Sequence, residues 1–206
     1  MDYDVLAVGK AQERLQQWVY AFLQVFMQRL LQTPAYTTAR HECKAKGIDL
    51  LFRMKQAQQQ PDDFDDEQAL WGYTALKFAE RARRTSLGLW RADLVSLSAN
   101  GSGLVHRSLR ALSNRVAQEQ HILSFGGGPA NDLLGAVLYL DYCALAPSTT
   151  HADALDGESD EPPPWFETTA GGEHSRHLTV LDLFPQWDSI VEQASAASGL
   201  AIRFAQ

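Results

Sequence analysis

Positive charge is in short supply in this chain: 18 lysines and arginines stand against 25 aspartates and glutamates, a formal net charge of −7 at pH 7. General nucleic-acid binding needs a basic face that displaces counterions, so this balance argues against that class. The two basic groups, Arg40, Lys44, Lys46, Arg53 and Lys55, and then Lys77 to Arg91, read as solvated helix faces. Cysteine is scarcer still. Cys43 and Cys143 lie in different regions and cannot make a disulfide framework, so free reduced thiols are expected. Metal-ligand spacing is missing too, because neither His174-x-x-His177 nor His41-Glu42-Cys43 has a second group at structural-zinc spacing. No apolar run reaches the roughly 18 residues of a membrane span, and the longest, Leu133 to Ala146, is interrupted by Asp141. Met1-Asp2-Tyr3-Asp4 lacks the basic start and apolar stretch of a signal peptide. A cytoplasmic location is expected, with the nucleus left open.

What is present divides into two halves. In the first, Leu15, Trp18, Val19, Phe22, Leu23, Phe26 and Leu30 recur at three- and four-residue spacing, which predicts an amphipathic helix over 10–32 that stops at Thr33-Pro34. A second helix is expected over 38–58, broken or bent near Gly47, followed by a polar joint at Gln56 to Pro61. Asp62, Asp63, Asp65, Asp66 and Glu67 crowd the start of a third, over 66–84, where acids complement the helix dipole. Arg81, Arg83 and Arg84 then fit its C-terminal end. Trp71, Tyr73 and Trp90, at helical spacing, read as core in preference to a substrate site. A turn at Asn100 to Gly103 precedes a further helix over 104–118.

The second half carries the chemistry. Ile122 to Phe125 reads as a short strand that enters Gly126, Gly127 and Gly128 and leaves as a helix through Tyr139, with Asn131 or Asp132 as N-cap. Glycines there allow positive φ and close backbone approach to a ligand, and the helix start favours an anion. His177 to Asp182 is a second strand ending in a carboxylate, the residue type that accepts hydrogen bonds from ribose hydroxyls in nucleotide-binding α/β folds about 20 residues past the glycines. The gap here, from Gly128 to Asp182, is 54 residues. The stretch 147–177, rich in Pro, Gly, Ser, Thr and acids, reads as an inserted, mobile loop, and without its 31 residues the gap falls to 23. A helix from Gln186 to Ser198 and a third strand from Leu200 to Phe204 follow, with Trp187 either near the ligand or packed on the sheet.

Ser124-Phe125-Gly126-Gly127-Gly128-Pro129-Ala130-Asn131-Asp132, then Leu178 to Asp182 and Trp187, resemble the first cofactor motif and the following acidic motif of Rossmann-like (class I) S-adenosylmethionine-dependent methyltransferases. The closest likeness is to a poorly characterised eukaryotic branch whose motif reads Ser-apolar-Gly-Gly-Gly-Pro-Gly-x-Asp. Ser124 stands where most members carry an acid, and Ala130 where they carry a third glycine. The resemblance implies an α/β chain: a helical region over 1–104, then a partial methyltransferase core over 105–206 with a mostly parallel sheet and the mobile insertion. It also implies S-adenosylmethionine held by Ser124, Phe125, Gly126, Gly127, Gly128, Asp132, Asp182 and Leu183, with the glycines along the methionine part and Asp182 on the ribose. The family's later strands are not represented, so the chain is either a truncated product or one in which the N-terminal half supplies substitutes. The methyl acceptor and any catalytic base stay open.

Two other readings stand beside that one. An NAD enzyme also needs glycines and an acid after strand two, but Asn131 falls where the last glycine of Gly-x-Gly-x-x-Gly belongs. A degenerate methyltransferase fold, acting as a binding or scaffold module through its aromatic N-terminal helices, would be of a different functional class.

Overall fold

A computed structural model describes residues 5–98, 120–145 and 176–206. The turn at 100–103, the helix over 104–118 and the loop over 147–175 lie outside the described residues. Helix α1, Val5–Leu30, starts upstream of its expected first residue and buries Leu15, Val19, Phe22, Leu23, Phe26 and Leu30 along one stripe. Pro34, at the first position of the short helix α2, Pro34–Thr37, has its fixed φ and missing N–H where a helix start tolerates both. Helix α3 spans Arg40–Lys55, and a 3-10 turn at Pro61–Phe64 leads to α4, Glu67–Ser98.

Two expectations for these helices are corrected. Gly47 does not break α3, which runs unbroken through it; it is the point where α3 crosses α4 backbone to backbone. A Cβ on Gly72 would overlap the carbonyl of Cys43, and one on Gly47 would overlap the backbone of Gly72, so glycine on both helices permits the close crossing. The third helix does not end near residue 84. Leu87, Leu89 and Trp90 continue its apolar side, so Arg81, Arg83 and Arg84 stand in mid-helix rather than at a C-terminus. The acids at its start do cap it: Asp66 Oδ1 accepts from the N–H groups of Gln68 (3.0 Å) and Ala69 (3.2 Å). Burial pushes the Asp66 carboxyl up, but the Lys46 ammonium at 3.0 Å and those N–H groups bring it net below the ordinary value.

The rest of the described chain is a β-α-β-α-β unit. Strand β1 is Gln120–Phe125, α5 is Asn131–Leu145, β2 is Arg176–Leu181, α6 is Trp187–Ser198 and β3 is Ile202–Ala205. The last two residues of the stretch read as a loop, Arg176 and His177, therefore open β2. The strands pair in parallel in the order β1-β2-β3, with Phe125 opposite Leu181 and Leu181 opposite Ala205. Both helices pack on the same face of the sheet, as right-handed crossovers between sequential parallel neighbours would place them. There, Ala130, Leu133 and Val137 of the turn and α5 meet Leu178 and Val180 of β2 and Val191 of α6.

The N-terminal helices form the next layer. Leu134, Leu138 and Tyr139 of α5, with Trp187, Ile190 and Ala194 of α6, share one buried cluster with Leu15, Phe26, Leu70 and Phe78. The α4–α5 crossing is close: a Cβ on Gly135 would collide with the carbonyl oxygen of Ala82, and the Ser86 hydroxyl donates to the Gly135 carbonyl at 2.7 Å. The architecture is α/β and predominantly helical, and among the described residues the sheet forms one outer layer. Leu123 and Phe125 lie on the sheet face turned away from these helices, 54% and 77% exposed. Trp71, Tyr73, Trp90 and Trp187 are all buried.

Candidate functional site

The glycine turn closes the end of the sheet. Its backbone reverses through left-handed conformations at Gly126 (φ 61°), Gly128 (φ 48°) and Ala130 (φ 70°). Glycine is at home there, whereas Ala130 carries a steric cost on its fully buried Cβ, at the position where the family resemblance expects glycine. The three glycines differ in what surrounds them. A Cβ on Gly127 would collide with the Ser124 hydroxyl, one on Gly128 would rest 3.5 Å from the Trp187 ring, and one on Gly126 would project into open space.

Asp182, directly after β2, reaches across to this turn. Its Oδ2 accepts from the Gly128 N–H at 2.9 Å, and its Oδ1 from the Phe184 N–H at 3.1 Å. The carboxylate thus fastens the turn to the neighbouring strand while each oxygen keeps a second acceptor position. Asp132, in the first turn of α5, accepts from the Thr85 hydroxyl (3.2 Å) and the Asn131 amide (2.7 Å) through Oδ1. Neither Asn131 nor Asp132 is the N-cap of α5. Ala130 precedes the first helical residue and has no side-chain acceptor, while Asn131 turns its amide to Asp132.

A cavity of about 590 Å³ opens between the turn and the N-terminal helices. Of the residues expected at a cofactor, Phe125, Gly126, Gly127, Gly128, Asp182 and Leu183 line it. Ser124 is buried beneath Gly127, and Asp132 is turned to α4; neither belongs to the cavity wall. Leu183, 87% exposed, stands at the rim.

The opposite wall comes from the helical half. Met54, Phe64, Tyr73 and Arg81 face the turn, and Phe64 stacks on Phe184 at 4.2 Å between ring centroids. Tyr73 sits edge-on to Trp187 at 5.8 Å, and the Arg81 guanidinium lies 5.3 Å from the Tyr73 ring centroid. Burial pushes the Tyr73 phenol up, against the opposing pull of Arg81, so it stays protonated and uncharged at neutral pH. The cavity thus presents one guanidinium, one carboxylate and a left-handed backbone turn between aromatic walls.

The sequence gives no local sign of Met54, Phe64 or Arg81, because their part in the cavity arises from packing between distant segments. Cys43 is no candidate nucleophile: burial and the neighbouring Glu42 carboxylate push its thiol up, away from the reactive thiolate. Among the described residues no group of three or more His, Cys, Asp or Glu side chains is placed to hold a metal ion, and no helix is long and apolar enough to cross a membrane. Comparison of the chain with protein-family models, with curated proteins and with solved structures gave no match.

Proposed function

We propose that this cavity binds S-adenosylmethionine and that the chain is a methyltransferase built on a Rossmann-like core. The observation that carries the reading is the convergence, in one cavity, of the left-handed glycine turn, the Asp182 carboxylate at the end of the second parallel strand, and Arg81 from the helical half. The volume of about 590 Å³ falls within the range of roughly 300–1,000 Å³ usual for ligand sites. Asp182 has one acceptor position left on each oxygen, which suits two adjacent ribose hydroxyls. Open space at Gly126 admits the methionine part beside the backbone, and the planar fork of Arg81 suits its carboxylate.

When bound, S-adenosylmethionine supplies an already activated methyl group on a sulfonium. The chain's own task is then to fix the acceptor in line and to exclude competing water. Phe64, Phe184 and Met54 give the cavity an apolar wall against which a flat or apolar acceptor packs. Tyr73, held protonated, serves as a hydrogen-bond donor rather than a base.

Calorimetric titration of the full chain with S-adenosylmethionine, S-adenosylhomocysteine and NAD tests the reading. Either methionine-derived ligand is expected to bind more tightly than NAD. Tighter binding of NAD would overturn it in favour of a dinucleotide site, and binding of none of the three would favour the scaffold role.

A further inference from the structure

A second cavity, of about 680 Å³, lies on another side of α4 and has no part in the site above. One stripe of α1, continued by the residue after it, forms the floor, running from Tyr20 through Leu23 and Met27 to Leu31, twelve residues whose eleven helical rises span about 16 Å. Tyr36 of α2 and Ala79 of α4 complete the apolar walls. Tyr20 is 64% exposed although it stands beside the buried Leu23, so the groove opens to solvent along an apolar surface. Residues on α4 keep the cavities apart: Tyr73 and Arg81 face the glycine turn, whereas Ala79, Glu80 and Arg83 face the groove.

The charges at the groove are unbalanced. Glu80 is held by Lys77 and by Arg84, each at 2.6 Å, and its carboxyl lies below its ordinary value through the hydrogen bond from Lys77. Arg40 and Arg83, both exposed, have no ion-pair partner among the described residues. An apolar trough about three helical turns long, bordered by two uncompensated guanidinium groups, is complementary to a molecule with an extended apolar body and one anionic head. Guanidinium favours a carboxylate because its donors match the two oxygens in a planar fork. Met27, unbranched and polarizable, lets the floor adjust to the body.

We infer that the groove between α1, α2 and α4 is a binding site for an amphiphilic carboxylate, with Arg40 and Arg83 as its anion-recognising residues. The three methionines make the test direct: Met27 lines this groove and Met54 the glycine-turn cavity, with Met1 as the third. Full-length protein carrying 13C-methyl methionine, with signals assigned through Met27→Leu and Met54→Leu, is titrated with decanoate below its micellar concentration. Decanoate is expected to shift the Met27 methyl in a saturable manner and to leave Met54 in place. Decyltrimethylammonium, with the same chain and the opposite charge, is expected to bind at least roughly tenfold more weakly, in line with the worth of hydrogen bonds between charged groups. The double variant Arg40→Gln/Arg83→Gln is expected to lose the preference for the anion while keeping the Met54 signal, which shows that the fold persists. Equal affinity for anion and cation, an unchanged preference in the double variant, or no shift of Met27 would each overturn the assignment. A shift produced by anionic phospholipid vesicles but not by free decanoate would overturn it in favour of a membrane-surface contact. Because the readout is at Met27, the result is independent of whether the glycine-turn cavity binds S-adenosylmethionine.

Discussion

The carboxylate of Asp182 holds the Gly128 N–H at 2.9 Å and the Phe184 N–H at 3.1 Å, so it orders the glycine turn through its own hydrogen bonds. Removing it affects two properties at once. Hydrogen bonds to a charged acceptor are worth about 1.5–3 kcal/mol, and the two N–H groups would lose their partner in a half-buried position. Asp182→Ala is therefore expected to lower stability by about 1.5–3 kcal/mol and to weaken S-adenosylmethionine binding roughly ten- to a hundredfold. Thermal unfolding and calorimetry on the same variant check both. Unchanged affinity with lowered stability would make Asp182 a turn fastener only, and unchanged stability would contradict the geometry at Gly128. Ala130 shows the same coupling of backbone to packing: its left-handed φ of 70° goes with a methyl wholly buried in the cluster that holds Leu133 and Val180.

Among the helices, glycine means opposite things at two positions of α4. Gly72 lies where a Cβ would overlap the Cys43 carbonyl of α3, whereas Gly88 is exposed with nothing within 4 Å of its would-be Cβ. Gly72→Ala is expected to cost about 1–3 kcal/mol or more, because both backbones must part. Gly88→Ala is expected to stabilise by about 0.4–1 kcal/mol, because it restricts the unfolded chain without a clash. Denaturant midpoints of the two variants should thus move in opposite directions; a stable Gly72→Ala would refute the close α3–α4 crossing. The pair also shows how far local pattern carries. The stripe of α1, the Asp66 cap, both strands around the glycine turn and the end of α6 at Ser198 are legible, since each depends on neighbours a few residues away. Gly47 and Arg81 are not. Gly47 looks like a break until Gly72 is seen against it, and Arg81 looks like a helix-end charge until α4 continues past it to Ser98. For the same reason the cavity's glycine-turn wall is legible and its helical wall is not.

At the scale of the whole molecule, the three-stranded sheet leans on helices from the other half of the chain. Leu134, Leu138 and Tyr139 of α5 and Ile190 and Ala194 of α6 point away from the sheet and are buried by the N-terminal layer. Without that layer, a sheet of three strands and two helices would expose an apolar face on each side, since Leu123 and Phe125 already face outward on the other. Each large apolar side chain returned to water costs about 1.5–3 kcal/mol, and a handful of them matches the whole stability of an ordinary domain, about 5–15 kcal/mol. The two halves therefore depend on each other for folding, and the described elements are expected to unfold in one cooperative step. Trp71 and Trp90 report from α4 and Trp187 from α6, all buried, whereas far-ultraviolet circular dichroism is dominated by the long helices α1 and α4. Urea unfolding followed by tryptophan fluorescence and by circular dichroism should give superimposable transitions with a single midpoint. Two separated midpoints, with fluorescence of a Trp187-only variant leading the circular dichroism, would show that the sheet unit melts away from a self-sufficient helical bundle. The cavity between them would then be an interface that opens before either half unfolds.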